Sequence, residues 1–264
     1  MEAKILSQNN ERLVFLLKGT NPVMANTLRR VIVNEVPTLA IEEITFLKNS
    51  SALYDEMIAH RMGLIPLVTN PKDYTLKEEC TCKGKGCAKC QVYFSLKVAG
   101  PCTVYAEELK FKDPEVKAAY PKLIITKLLK GQTLECEGFA ILGQGKTHIK
   151  FSPGLMFYNY YPKVIINNNK AKLEKFKEQY PSVIFNDKGE IDEDIINKFI
   201  EKPSLADACE GVCDDLLKIE RNENNIIFYL ESFGQLKPKE IIYSALDMID
   251  VKLEQFEKEL KKLK

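Results

Sequence analysis

The sequence predicts an α+β fold with a β-rich middle, a small separate α/β module and a long C-terminal helix. Three observations carry this. Short apolar runs separated by turn residues recur between 40 and 142, the pattern of strands in a sheet. Past Pro162 the composition changes, and 167–202 is rich in Lys and Glu. After Pro238 apolar residues return at helical spacing to the end of the chain.

Taken in order, residues 3–18 alternate loosely and read as one strand ending at Gly19. Asn21-Pro22 then opens a helix, with Asn as cap and Pro at the first helical position. Met24, Leu28, Val31 and Ile32 mark its apolar face, and Pro37 closes it. Residues 40–47 alternate as a strand, and 54–62 read as a short helix. Strand-like runs follow at 92–98, 102–106, 123–129 and 133–142. In the Lys/Glu-rich part the expectation is a helix over 170–179, a strand over 182–185 and a helix over 192–201. Ser204-Leu-Ala-Asp207 resembles a capping box with Asp in place of Glu, opening a helix through Leu217. Residues 226–231 return to strand.

In the C-terminal segment Ile242, Leu246, Ile249, Leu253, Phe256, Leu260 and Leu263 fall at spacings of 4, 3, 4, 3, 4 and 3. That is a heptad seam, with Lys and Glu on the other faces. A helix of about 25 residues runs about 38 Å, more than a small domain easily covers. The seam is read either as the face packed on the chain's own sheet or as a face shared with a partner chain.

The balance of 38 basic and 37 acidic residues, net charge +1, argues against a chain whose main task is gripping nucleic acid. Little direct DNA contact is expected. No run approaches 18 apolar residues, so no membrane span is expected. Residues 1–7 lack the apolar region of a signal peptide. Eight cysteines without a secretion signal fit a reducing, cytoplasmic setting, where thiols bind metal or stay free.

The densest chemistry is Cys80-Thr-Cys82-Lys-Gly-Lys-Gly-Cys87-Ala-Lys-Cys90. Thiols interleaved with Gly and Lys lack the periodicity of a core segment, and the glycines permit a backbone tight enough to wrap an ion. Four thiolates suit a tetrahedral Zn²⁺ with Zn–S about 2.3 Å. Lys83, Lys85 and Lys89 offset the negative charge of such a centre. Disulfides and an iron–sulfur cluster are the alternatives. A zinc with all four positions filled by sulfur is structural, because a catalytic zinc keeps one position open. The two histidines, His60 and His148, stand in no metal-ligand spacing.

Other candidates carry less. Gly143-Gln-Gly145-Lys146-Thr147 contains a Gly-Lys-Thr, but Ala140 stands where a phosphate-binding loop needs its first Gly. Arg29 and Arg30 read as a solvated or interface face. His60 has no nearby nucleophile, so a structural hydrogen bond is expected of it. Cys102 and Cys136 read as buried free thiols. Cys209 and Cys213, four apart, read as packing or the remnant of a site.

Three longer stretches go further. Residues 15–30 (Phe15-Leu-Leu-Lys-Gly-Thr-Asn-Pro-Val-Met-Ala-Asn-Thr-Leu-Arg-Arg30), 34–41 and 51–66 resemble the α-like subunits of cellular RNA polymerase, most closely the archaeal D-type (third) subunits. Residues 143–151 and 231–238 continue the resemblance, which runs from near residue 5 to the C-terminal helix. The cysteine loop is similar to the zinc loop of the eukaryotic third-largest polymerase II subunit, with a central gap one residue longer.

The resemblance implies an α-like dimerisation domain, a sheet plus two helices, over 1–47, 151–165 and 223–264. It implies a β-rich insert domain with the zinc loop over 48–150 and a ferredoxin-like module over 166–222. It implies structural zinc on Cys80, Cys82, Cys87 and Cys90. An iron–sulfur cluster is not expected, because only Cys209 and Cys213 lie in the module. The implied role is a non-catalytic assembly subunit of a DNA-directed RNA polymerase, a nucleotidyltransferase. The implied partners are the smaller α-like subunit L, subunits N and P, and the second-largest subunit. The polymerase's two-metal chemistry needs clustered carboxylates, and none in that context occurs here. The alternative is a stand-alone zinc-containing enzyme with a helical dimer seam.

Overall fold

The structure, a computed structural model, describes residues 1–68, 70, 72–167, 170–186, 189–192 and 208–263. In chain order the described elements begin with β1 (Glu2–Gln8), β2 (Arg12–Lys18), α1 (Pro22–Glu35), β3 (Pro37–Asn49), α2 (Asp55–Gly63) and β4 (Leu67–Val68). Then come β5 (Gln91–Ala99), β6 (Cys102–Tyr105), β7 (Lys110–Phe111), β8 (Lys117–Ala118), β9 (Ile124–Leu128) and β10 (Thr133–Gln144). The remainder are β11 (Gly154–Ile166), α3 (Lys170–Phe176), β12 (Leu217–Ser232) and α4 (Pro238–Lys262). The chain is thus mixed α and β. Among the described residues no helix is long and apolar enough to cross a membrane.

The chain divides into two compact units. One is Met1–Thr27 with Met156–Leu230, the other Leu28–Leu155 with Glu231–Lys264. The first is built on a four-stranded sheet in the order β1-β2-β12-β11. The single strand expected over 3–18 is instead an antiparallel hairpin. The Asn9 side chain closes its turn, accepting from the Glu11 and Arg12 amides at 2.9 and 2.6 Å. Phe15 stacks on Phe228 and Phe157 on Tyr229, each with ring centroids 4.8 Å apart.

A second small core in this unit gathers Leu173, Tyr180, Ile184, Ile191, Cys209, Leu216 and Leu217. The helix expected over 170–179 forms as α3 and tightens into a 3₁₀ turn at Lys177–Gln179. The strand expected over 182–185 is a 3₁₀ turn, Ser182–Ile184. Its amides close locally, Ile184 on the Pro181 carbonyl at 3.2 Å, and only Phe185 bridges to Ile191. The helix expected over 192–201 and the cap at Ser204 lie outside the described residues. A helix running to Leu217 does not form. Residues 208–209 are helical, Gly211 turns with φ +77°, and Leu217 opens β12.

Helix α1 begins as expected, with Asn21 Oδ1 accepting from the Met24 amide at 2.8 Å. Its inward face is Ala25, Leu28, Val31 and Ile32, while Met24 stays exposed. The second unit is organised by an antiparallel sheet in the order β3-β10-β5-β7. Ile58 and Met62 of α2 are fully buried in its core, with Leu39, Ile41, Leu96, Ile125, Leu128 and Leu134. Arg61 fastens α2 by donating to the Ile125 carbonyl at 2.7 Å.

Helix α4 starts at Pro238, where the Glu240 carboxylate accepts from the Lys237 amide at 2.9 Å. Its buried residues are Pro238, Ile241 and Ala245. The heptad seam is a different stripe. Ile242 and Ile249 are half-buried, while Leu246, Leu253, Phe256, Leu260 and Leu263 are exposed. From Asp250 onward every described residue is exposed. The reading of the seam as an internal packing face is therefore corrected: the inward contacts sit one position before it.

Candidate metal centre and assembly face

The segment between β4 and β5 has no regular strand or helix among its described residues and is shaped by local turns. The Lys83 amide donates to the Cys80 carbonyl at 2.9 Å, and the Cys90 and Gln91 amides both donate to the Cys87 carbonyl at 3.0 Å. Lys83, Gly84 and Gly86 take left-handed φ values of 54°, 78° and 85°. Gly86 has a second requirement, since a Cβ there would meet the Gln91 side chain at 2.4 Å. Gln91 is itself buried and donates to the Tyr93 hydroxyl at 2.5 Å. The Thr75 amide ties the loop together through the Lys89 carbonyl at 2.8 Å.

These turns bring together all four cysteines singled out in the sequence. Their sulfurs lie within 4.8 Å of one another. Cys80 and Cys87 are 3.5 Å apart, Cys82 and Cys90 3.6 Å, and Cys87 and Cys90 3.8 Å. A regular tetrahedron with metal–sulfur bonds of about 2.3 Å has edges of about 3.8 Å. A disulfide would bring two sulfurs to about 2.04 Å, and all four thiols are free. The set therefore fits one tetrahedral ion and can hold a metal.

The thiols of the set do not titrate alike. Burial raises the Cys82 thiol, but hydrogen bonds from Cys80, Cys90 and the Gly86 amide outweigh it and bring it down to about 6. Burial pushes Cys90 up to about 12. At neutral pH Cys82 is the first anion of the set, and a metal must displace the proton on Cys90. The Cys87 amide donates to Cys90 Sγ at 3.2 Å, so the backbone already points a donor at a ligand atom.

The remaining candidates fall into place as structure. Gly143 to Thr147 forms the end of β10 and a turn, with Thr147 Oγ1 donating to the Gln144 carbonyl at 2.7 Å, and a 3₁₀ turn follows rather than the helix of a phosphate loop. His60 is exposed on α2, and no side-chain hydrogen bond to it is found among the described residues, contrary to expectation. His148 caps the turn at Ile149–Phe151 by accepting from the Lys150 amide at 3.1 Å. Cys136 is buried on β10 and raised by burial to about 11, while Cys102 is only half-buried. Cys209 is buried and Cys213 packs against the same core.

Sequence reasoning missed a cleft of about 910 Å³ beside the cysteine loop, whose walls include Lys77, Cys80, Lys83, Lys146 and Lys150. Its walls stand too far apart in sequence for any spacing to announce it. The exposed half of α4 is the other feature that needs covering. The helix is held on its chain by Ile241 and Ala245 and by a Lys252 to Glu35 ion pair at 2.5 Å, leaving the leucines and Phe256 outward.

Residues 40–155 match the family described as RNA polymerase Rpb3/RpoA insert domain. Curated relatives align over nearly the whole chain. The DNA-directed RNA polymerase subunit Rpo3 of Methanosphaera stadtmanae is 34% identical, covering 96% of each chain. That of Methanopyrus kandleri is 36% identical over 96% of this chain and 92% of its own. That of Thermococcus kodakarensis is 35% identical over 100% of this chain and 99% of its own. With a fold in which the insert carries the cysteine loop and α4 presents an uncovered apolar stripe, the chain belongs to the Rpo3 family of DNA-directed RNA polymerase subunits.

Proposed function

We propose that the chain is a non-catalytic assembly subunit, holding other polymerase subunits in place for DNA-templated RNA synthesis. The observation that carries this is the outward stripe of α4. Phe256 is 63% exposed and Leu253 60%, and each large apolar side chain fully buried on association is worth about 1.5–3 kcal/mol. The partner across the helices at 22–35 and 238–262 is the smaller α-like subunit L. Subunits N and P join this pair, and the second-largest subunit docks on it. The dimerisation domain comprises 1–47, 151–165 and 223–264, interrupted by the insert over 48–150 and a ferredoxin-like module over 166–222. Family membership leaves the stand-alone enzyme reading without support.

In this reading Cys80, Cys82, Cys87 and Cys90 hold a structural zinc. The compact all-thiol set and its tetrahedral spacing support it. The metal would supply no chemistry beyond fixing the loop, because sulfur fills every position. The chain works in the cytoplasm, where thiols stay reduced. Co-expression with the smaller α-like subunit, followed by affinity capture and mass spectrometry, tests the role. A tight 1:1 complex that brings the other polymerase subunits along is expected. A chain that purifies alone, with the partner present and soluble, would overturn it.

A further inference from the structure

The cleft beside the cysteine loop is built, and its charge is not balanced from within. The apolar part of its lining is Leu76, Ile141, Leu142 and Phe151, of which Leu142 and Phe151 are buried. Four lysines line it, Lys77, Lys83, Lys146 and Lys150, against Glu42 and Glu78. Lys150 is committed, donating to the Glu42 carboxylate at 2.5 Å and to the Ile41 carbonyl at 3.0 Å. That leaves Lys77, Lys83 and Lys146 against Glu78 alone, and no acidic partner of these three is found among the described residues. A tetrathiolate metal centre would add two negative charges behind Cys80, matched in number by Lys85 and Lys89 of the same loop, so that Lys83 is not needed for that balance. The surplus in the cleft is positive.

The lysines also stand on backbone that is held. The Lys146 amide donates to the Asn34 carbonyl at 2.9 Å. Its neighbour Gly145 passes so close to Val33 that a Cβ would sit 2.1 Å from the Val33 carbonyl oxygen. Lys77 lies over the Phe139 ring, 5.8 Å from its centroid. Lys83 is fixed by the left-handed turn after Cys82. The backbone under Lys83 and Lys146 is thus held, while their exposed side chains stay free to turn toward a ligand.

We propose that this cleft receives an acidic peptide segment of another polymerase subunit, with Lys77, Lys83 and Lys146 meeting its carboxylates beside the apolar lining. A nucleic acid is the poorer fit. Phosphate backbones are gripped by broad basic faces, whereas this cleft carries Glu42 and Glu78 in its wall. The inference rests on the assembly role proposed above, and it adds a site that shares no lining residue with the α4 stripe.

The test uses the polymerase reconstituted from purified subunits with a photo-crosslinking amino acid at position 146. Crosslinked peptides are mapped by mass spectrometry. An Asp- and Glu-rich segment of a polymerase subunit is the expected product. A non-acidic segment, a nucleic-acid adduct or no adduct in an assembled enzyme overturns the proposal while leaving the assembly role intact. If the unmodified chain does not assemble at all, both fall. As a second reading, Lys77→Glu with Lys146→Glu should weaken retention of the crosslinked subunit about tenfold at low salt. Reversing acidic residues in the mapped segment to Lys should restore it. Unchanged retention by the double variant, with zinc content and fold intact, counts against the site.

Discussion

Replacing Leu246 and Leu253 by Asp separates an interface from a core. In the lone chain these side chains are 43% and 60% exposed, so replacing Leu253 removes little internal packing and replacing Leu246 only part of a fully buried leucine's. Fully burying a leucine is worth about 1.5–3 kcal/mol. Scaled by the exposed fractions, covering both contributes about 2 kcal/mol to association. Stranding two carboxylates against an apolar partner adds at least about 2 kcal/mol more. The sum, about 4 kcal/mol, is a loss of about a thousandfold in affinity for the smaller α-like subunit. The assay is titration calorimetry or gel filtration of co-expressed pairs, with circular dichroism and metal content as controls on the chain. Ile241→Ala supplies the contrast. Ile241 is fully buried on the same helix, so its truncation should cost the chain itself about 2–5 kcal/mol while the seam stays intact. Should the double Asp variant bind normally, or should it unfold the chain as Ile241→Ala does, the division of α4 into an inward and an outward stripe is wrong.

Purified protein should contain one equivalent of zinc and little iron, and Cys87→Ser should lose the metal while the sheets stay folded; full retention by that variant would remove Cys87 from the ligand set. Metal affinity should rise with pH across the neutral range, because the Cys90 thiol, pushed to about 12, must lose its proton to bind; a flat competition curve against a chelator between pH 6 and 8 would contradict this. Anaerobically purified protein should be colourless, since a stable iron–sulfur cluster usually takes four cysteines and residues 166–222 hold two; visible charge-transfer absorption with matching iron and sulfide would refute it. The Tyr74 hydroxyl donates to Asp113 and holds its carboxyl below the usual range. That stabilisation is present above the unfolded carboxylate pKa and lost as pH falls through the depressed value. Tyr74→Phe should therefore lower stability by about 1 kcal/mol near neutrality, given solvent screening at Asp113, with the difference vanishing in acid; an equal difference at both pH values would point to packing instead.

What was legible in the sequence was what local chemistry decides. The Asn21-Pro22 helix start needs only a cap and a fixed φ, and it forms as read. The four cysteines converge because their spacing leaves room for little except tight turns around a common centre. Where tertiary pairing decides, the reading failed. The hairpin of β1 and β2 was missed because its turn is a short polar break in a run that alternates on both sides. β11 runs through Pro162, which would ordinarily end a strand. It is tolerated because β11 is the edge of its sheet, where one side of the backbone has no neighbouring strand to pair. On α4 the heptad spacing was visible, but which chain it faces was not. Two stripes of one amphipathic helix look alike until Ile241 and Ala245 are seen to be the buried ones.

The cysteine loop explains how the insert carries so long an irregular connection. Loops beyond about 12–15 residues without secondary structure are uncommon in compact domains and call for a reason. Between Val68 and Gln91 the chain has few apolar side chains to anchor it, and of these Tyr74, Cys80 and Cys90 are the buried ones among the described residues. Of the three left-handed positions described there, Gly84 and Gly86 are glycines, and Lys83 is the one where that conformation carries a cost. So few buried side chains contribute little to ordering the segment, and a metal bound only by the folded arrangement would add its binding free energy to folding. The rest of the insert does not need that help, since the β3-β10-β5-β7 sheet and α2 close their own apolar core. The sheet thus closes its own core, while the loop is the part that a bound metal would shape. Lys77 and Lys83 stand on the loop, while Lys146 stands on the turn after β10. A metal on the four cysteines would therefore set one wall of the lysine cleft against a wall carried by the sheet, and a partner bound there would read the metallated form of the chain.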